Sequence, residues 1–169
     1  MLPQRGPLPP ALPDPLSGGA VRPILFHPDP MLREICQPCG YLSGPELAEL
    51  AADLLASMYA AKGRGLAAPQ VGVLRRIFVM DAGWKQGAPE PLILCDPEIV
   101  SLSDERDVVE EGCLSIPDRP VAVARPVAIS LRWYGLDGRL MQRELDGWAA
   151  RIAQHEADHL DGRLIMDFE

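Results

Sequence analysis

Near its C-terminal end the chain reads ARIAQHEADHLDG, Ala150 to Gly162. Within it, His155-Glu156-Ala157-Asp158-His159 is an H-E-x-x-H pattern, the sequence form of a metal-dependent hydrolase. Trp148 to Leu160 reads as a helix, and on a helix residues four apart share a face, so both imidazoles can point at one ion. Trp148, Ile152, His155 and His159 fall along that face, so an apolar wall runs directly into the two histidines. The same stripe also reads simply as core, and one wall can be core at one end and a substrate pocket at the other. Glu156 projects about 100° round from His155, close enough to reach an attacking water without ligating the metal. A catalytic centre of this kind needs a third protein ligand and an open position. The fold must deliver that ligand.

Working outward, LSGPELAELAADLLASMYAAKGRG is the clearest other helix. Ser43 followed by Glu46 fits a capping box. Leu47, Leu50, Leu54, Leu55 and Met58 recur at helical spacing, and Gly63 can stop the helix. GRGLAAPQVG reads as a Gly-rich loop and RIFVMD as a short strand. LILCDPEIVSLS reads as one or two strands broken at Asp96-Pro97. In VAVARPVAISLRWYGLDGRLMQREL the apolar positions alternate, with Val127, Ile129, Leu131 and Trp133 facing one way and Asp137-Gly138 turning into the next strand. Helix, then strands, then helix predicts an α+β fold, with antiparallel-rich sheets packed around a central H-E-x-x-H helix and a second helix towards the N-terminus.

The third ligand can be sought by elimination. The chain has three histidines, and His27 lies far upstream in an FHPDP turn. One zincin class takes a third His six residues past the second, where this chain has Ile165. Another takes a Glu from a later helix, but only ten residues follow His159. Asp161 is too close to fold back onto the same ion, and Asp167 or Glu169 would need a sharp reversal. The ligand therefore comes from upstream, and the best candidate is Cys113 in EEGCLSIP. Thiolate is a strong ligand for Fe²⁺ or Zn²⁺, and Gly112 lets the backbone approach closely. Glu110 and Glu111 add acidity beside the ion. Taken alone, such a cysteine is more often a buried structural residue.

The bulk properties narrow the rest. A chain of 169 residues, 47% hydrophobic and 24% charged, suits one globular domain. A net charge of −8 disfavours direct nucleic-acid binding or attachment to anionic membranes. No apolar run approaches the roughly 20 residues of a membrane span. Six prolines within the first fifteen residues predict an extended, flexible arm over 1–20, ahead of a single catalytic domain over 21–169. No secretion signal precedes the four cysteines, so reduced thiols and a cytoplasmic location are expected. Cys36 and Cys39 form a C-x-x-C, but no second pair completes a zinc knuckle and Pro38 and Gly40 punctuate it; small, partly buried hydrophobes are expected there.

Three motifs then stand in order: GRGLAAPQ (Gly63–Gln70), EGCLS (Glu111–Ser115) and QHEADH (Gln154–His159). Together they resemble the three motifs of the peptide deformylases, and HPDPMLR (His27–Arg33) resembles that family's N-terminal signature. The resemblance covers roughly Val21 to Phe168. It implies a metal-dependent hydrolase that removes the N-formyl group from the initiator methionine of new polypeptides, releasing formate. It implies Cys113, His155 and His159 as metal ligands, with Fe²⁺ expected and Zn²⁺, Ni²⁺ or Co²⁺ able to substitute. It makes Glu156 the general base and then acid, and makes the Gln70 amide and the Leu114 N–H the oxyanion donors. Backbone at Gly63, Arg64 and Gly65 would pair with an N-formylmethionyl peptide. Trp148, Ile152 and Val109 are the expected lining of the methionine pocket. Asp158 is expected to anchor a nearby arginine, with Arg125 the first candidate; a solvated helix-surface acid is the alternative.

Three departures mark this chain. The family has an aliphatic residue between the two glycines of its first motif, where Arg64 stands here. An arginine common three places after the proline of CLSIP is Pro120 here, with Arg119 one before it, so that peptide contact does not carry over. Many members continue into a C-terminal helix linked in some to ribosome docking, and with seven residues after Gly162 ribosome association does not carry over either. Two other readings stand beside the deformylase: a small metallopeptidase using the same centre, and a metal-binding homologue that has lost catalysis.

Overall fold

The computed structural model describes residues 6–42 and 44–169. Two α-helices and seven strands build it: α1 (Gly44–Ala60), β1 (Gly65–Ala67), β2 (Ile77–Met80), β3 (Leu92–Leu102), β4 (Arg106–Cys113), β5 (Ile116–Pro126), β6 (Ala128–Tyr134), β7 (Leu140–Asp146) and α2 (Gly147–Leu160). Five strands form an antiparallel sheet in the order β1-β2-β3-β6-β7, and β4 and β5 pair as a separate hairpin. This is the α+β architecture expected from the sequence.

β2 explains how the layers stack. All four of its residues are buried, as a continuous apolar strand covered on both faces must be. Phe78 and Met80 pack with Leu94, Ile129, Leu131, Trp133 and the α2 residues Ile152 and Leu160. Ile77 and Val79 face the other way, onto Leu50, Leu54, Leu55 and Met58 of α1. The sheet is thus sandwiched between the two helices. Each fully buried Leu, Ile or Phe contributes roughly 1.5–3 kcal/mol of apolar burial. A third cluster fills the β4–β5 hairpin: Ile116, Val121 and Val123 meet Leu32, Leu164 and Ile165.

Several local expectations are corrected. GRGLAAPQVG is not only loop, because Gly65–Ala67 adds an edge strand opposite Phe78–Met80. Asp96-Pro97 does not break β3: Asp96 takes φ +48, the register shifts at that point, and its carboxylate accepts from the Cys39 N–H at 2.9 Å. An Asp tolerates this left-handed geometry better than most residues, so the strand bulges and continues. The long alternating run after Val121 belongs to two sheets, split at Arg125-Pro126-Val127. Lys62, at φ +57, takes the left-handed position after α1, and the Gly63 N–H donates to the Met58 carbonyl at 2.9 Å as the helix ends. The capping box expected at Ser43 lies outside the described residues.

The described part of the Pro-rich segment runs beside α1. Leu12 and Leu16 pack against the α1 cluster, the Ala20 N–H donates to Asp53 Oδ1 at 2.7 Å, and Arg22 pairs with Asp53. Cys36 and Cys39 are buried hydrophobes as expected, and Cys39 Sγ lies 3.0 Å from the Arg76 carbonyl.

Candidate active site

α2 carries the centre into the middle of the fold. It packs on β1, β2, β5, β6 and β7, and its own polar side chains fasten it to the hairpin. Arg151 Nη1 donates to the Val123 carbonyl at 2.9 Å, and Gln154 Nε2 to that of Pro126 at 3.0 Å. The hairpin in turn supplies Cys113, the last residue of β4. Leu114 and Ser115 make the two-residue turn, because Cys113 is already opposite Ile116.

Cys113, His155 and His159 converge, with one ligand atom from each lying within 4.8 Å of the others. Cys113 Sγ is 3.4 Å from His159 Nε2. His155 Nδ1 meets Glu111 Oε1 at 2.9 Å, which leaves its Nε2 for the shared centre. Burial opposes charge on His155, but its hydrogen bonds to Cys113 and Glu111 outweigh that and push its pKa up to about 10. Burial and the neighbouring positive charges of His155 and Arg125 push His159 well below its ordinary value, keeping it a neutral donor. Two imidazole nitrogens and a cysteine sulfur, bound in their deprotonated forms, are a donor set that fits a divalent ion of borderline softness.

The groups around the ligands are equally ordered. Glu156 is buried, and burial raises its pKa to about 7, with His155 opposing and Glu111 adding to the rise. A carboxyl near 7 is suited to taking and returning a proton at neutral pH. Gln70 is held at the end of the β1 turn: its Oε1 accepts from the Ala67 N–H at 2.9 Å, so its Nε2 faces Ser115 Oγ at 3.0 Å and Cys113 Sγ at 3.8 Å. Gly65 permits close approach, because a Cβ there would lie 2.9 Å from Glu156 Cγ, Glu156 Oε2 and Ile152 Cγ2.

One cavity of about 340 Å³ joins these residues. Gly63, Arg64, Gly65, Gln70, Cys113, Leu114, Trp148, Ile152, His155 and Glu156 all line it. His159 sits behind it, buried at the ligand cluster. Val109 is not among the lining residues; it stands farther along β4, opposite Val123. Glu110 and Gly112 occupy the β4 side of the cavity instead. His27 is exposed, and Arg119 is bound to Glu169 at 2.8 Å, away from the cavity.

Sequence reasoning missed how much hangs on Glu111. Its carboxylate accepts from Arg125 Nε at 2.7 Å and Nη2 at 3.0 Å, from Arg151 Nη1 at 2.6 Å, and meets His155 Nδ1. Burial alone would raise its pKa, but the His155 and Arg125 hydrogen bonds prevail and hold it down at about 2. Arg125 also reaches Asp158 at 2.9 Å, the pairing expected from the sequence. Arg151 lies one helical turn before His155, and that i, i+4 spacing was the available signal.

A helix bearing H-E-x-x-H, a cysteine from a facing hairpin and a carboxyl poised near neutrality define the class: a metal-dependent hydrolase centre set in an α+β fold. A family model described as polypeptide deformylase matches residues 21–168. The peptide deformylase of Bartonella henselae is 42% identical over 148 residues, 88% of this chain and 84% of that protein. That of Rhodopseudomonas palustris is 44% identical over 150 residues, 88% and 85% of the two chains. The crystal structure of the Thermotoga maritima peptide deformylase superposes with a TM-score of 0.81 at 38% identity, covering 88% of this chain and 97% of that one. An Acinetobacter baumannii peptide deformylase with Met-Ala-Ser bound gives 0.82 at 32% identity, covering 89% and 99%. The chain belongs to the polypeptide deformylase family, metal-dependent hydrolases acting on the N-formyl group of new polypeptides. Among the described residues no helix is long and apolar enough to cross a membrane.

Proposed function

We propose that Cys113, His155 and His159 hold one divalent ion, Fe²⁺ in the native enzyme, and that Glu156 is the acid–base of deformylation. A thiolate with two neutral imidazoles is a donor set suited to Fe²⁺, and Zn²⁺, Ni²⁺ or Co²⁺ can take the same place. The bound ion supplies Lewis acidity that makes water nucleophilic near neutral pH. Glu156 accepts the proton as water attacks the formyl carbon. The Gln70 Nε2 and the Leu114 N–H, both from residues lining the cavity, donate to the oxygen that gains charge, each such donor contributing roughly 3 kcal/mol. Glu156 then delivers its proton to the departing amine, releasing formate and a free methionine N-terminus.

The substrate peptide adds as a strand along the outer edge of β1. Just before that strand the Arg64 carbonyl is turned inward, accepting from the Asp81 N–H at 2.9 Å, so by alternation Gly65 offers its backbone outward. Trp148 and Ile152 line the methionine pocket. Residues 21–169 act as one catalytic domain, and the substrates are nascent formylmethionyl chains in the cytoplasm. The observation that carries this reading is the convergence of three ligand atoms at one point, beside a cavity that Cys113, His155, Glu156 and Gln70 line.

Anaerobically purified, metal-loaded protein should release formate from a formyl-Met peptide and far less acetate from its acetyl-Met counterpart. Bound metal without formate release would overturn the reading.

A further inference from the structure

The cavity has a charged side that the ligand set does not explain. Lys62, Arg64 and Lys85 all line it, in a chain whose net charge is −8. Two of them come from the segment between α1 and β1, and the third from the short 3-10 turn Trp84–Gln86. The two segments are tied together by Trp84 Nε1, which donates to the Gly63 carbonyl at 2.9 Å. Among the described residues none of the three cations has a carboxylate in an ion pair, whereas Arg125 and Arg151 beside the site do. Arg64 is half-buried and lies over the Trp148 ring, its guanidinium carbon 4.4 Å from the centroid. Burial lowers its pKa; Lys85 is lowered by burial and then by repulsion from Arg64 and Lys62. Three mutually repelling cations without anionic partners are a standing cost that an incoming anion relieves.

Their order along the chain says where that anion would sit. Gly65 is the residue against Glu156, at the chemistry. Arg64 and Lys62 lie one and three residues before it, on the bend that leads from α1 into β1 and lines the same cavity. A peptide running as a strand past Gly65 would therefore present the residues after its methionine to the cations. Of the carboxylates across the cavity, Glu111 is already bound to Arg125 and Arg151, which leaves the exposed Glu110 as the one opposing charge on the β4 side.

We propose that Lys62, Arg64 and Lys85 form a cationic rim that selects formylmethionyl peptides with acidic side chains in the positions following methionine. The proposal rests on the deformylase reading and assigns a preference within it. Arg64 is the determinant, fixed on Trp148; Lys62 and Lys85 reinforce it from the exposed margin.

The test is kcat/KM of the metal-loaded enzyme for amidated formyl-Met-Ala-Ser, formyl-Met-Asp-Ser, formyl-Met-Ala-Glu and formyl-Met-Ala-Lys peptides. Amidation removes the terminal carboxylate, which would otherwise occupy the rim in every case. The acidic peptides should exceed the neutral one by roughly 5-fold at low salt, with the lysine peptide below it, and the spread should shrink at high salt. Arg64→Leu should cut the acidic-to-neutral ratio to near one, and Lys62→Ala with Lys85→Ala should lower it in part. The ratio is taken within each variant, so a loss of folded protein cannot imitate the effect. Equal rates on acidic, neutral and basic peptides by the unmutated enzyme would overturn the rim. No formate from any of them would overturn the deformylase reading, and the rim with it.

Discussion

Replacing Glu111 by Gln keeps the shape of the side chain and removes its charge. In the native protein that carboxylate is buried and meets three residues, Arg125, Arg151 and His155. Its pKa stands at about 2 against an ordinary 4.5. At about 1.4 kcal/mol per pKa unit, the charged form is favoured by the fold by roughly 3 kcal/mol. Arg125 keeps Asp158 and Arg151 keeps Asp107, so the substitution should cost about that much and not the larger penalty of a wholly stranded buried charge. The sign follows from the depressed value. The contribution is complete above the unfolded pKa near 4.5 and is lost as the pH falls towards 2. Urea unfolding of the metal-stripped protein should therefore separate the two forms by about 3 kcal/mol at neutral pH, the gap closing on acidification. Because His155 also loses its oriented partner, metal retention should fall about 10- to 100-fold. A Glu111→Gln protein within about 0.5 kcal/mol of the native one at neutral pH, with unchanged metal retention, would refute the reasoning.

Three further outcomes are expected. Cys113→Ala should abolish metal retention while Cys36→Ala and Cys39→Ala leave it intact, as measured by metal analysis after gel filtration; the reverse pattern would move the centre to the C-x-x-C. Glu156→Ala should bind metal normally and lose turnover, and an active variant would remove Glu156 from the chemistry. Gly65→Ala should push Glu156 from its place, since the added carbon would lie 2.9 Å from both its Cγ and its Oε2. A displacement of that kind costs about 100-fold in formate release with metal still bound, and a wild-type rate would show that the wedge between β1 and α2 is slack.

What could be read in the sequence was what lies close along the chain. The face of α2 followed from spacing alone, and Leu50, Leu54, Leu55 and Met58 are buried as their helical period demanded. β2 was legible because a strand covered on both faces needs an unbroken apolar run. The third ligand was legible for a less direct reason: few histidines and little chain after His159 left it nowhere else to come from. β4 was not legible, although residues 121–126 of its partner β5 lay within the run read as strand. Residues 106–113 read RDVVEEGC, mostly exposed, and its buried charge, Glu111, is inside because α2 brings Arg151 to meet it. Hydrophobic periodicity has no way to mark a buried Glu111, since its burial is made tolerable by Arg125, fourteen residues later, and by Arg151, forty residues later. The same three residues explain why the missed strand and the correctly read helix belong to one site. The charge that orients His155 also fastens β4 and β5 to α2, so the hairpin cannot shift without disturbing both the cysteine it carries and the imidazole it holds.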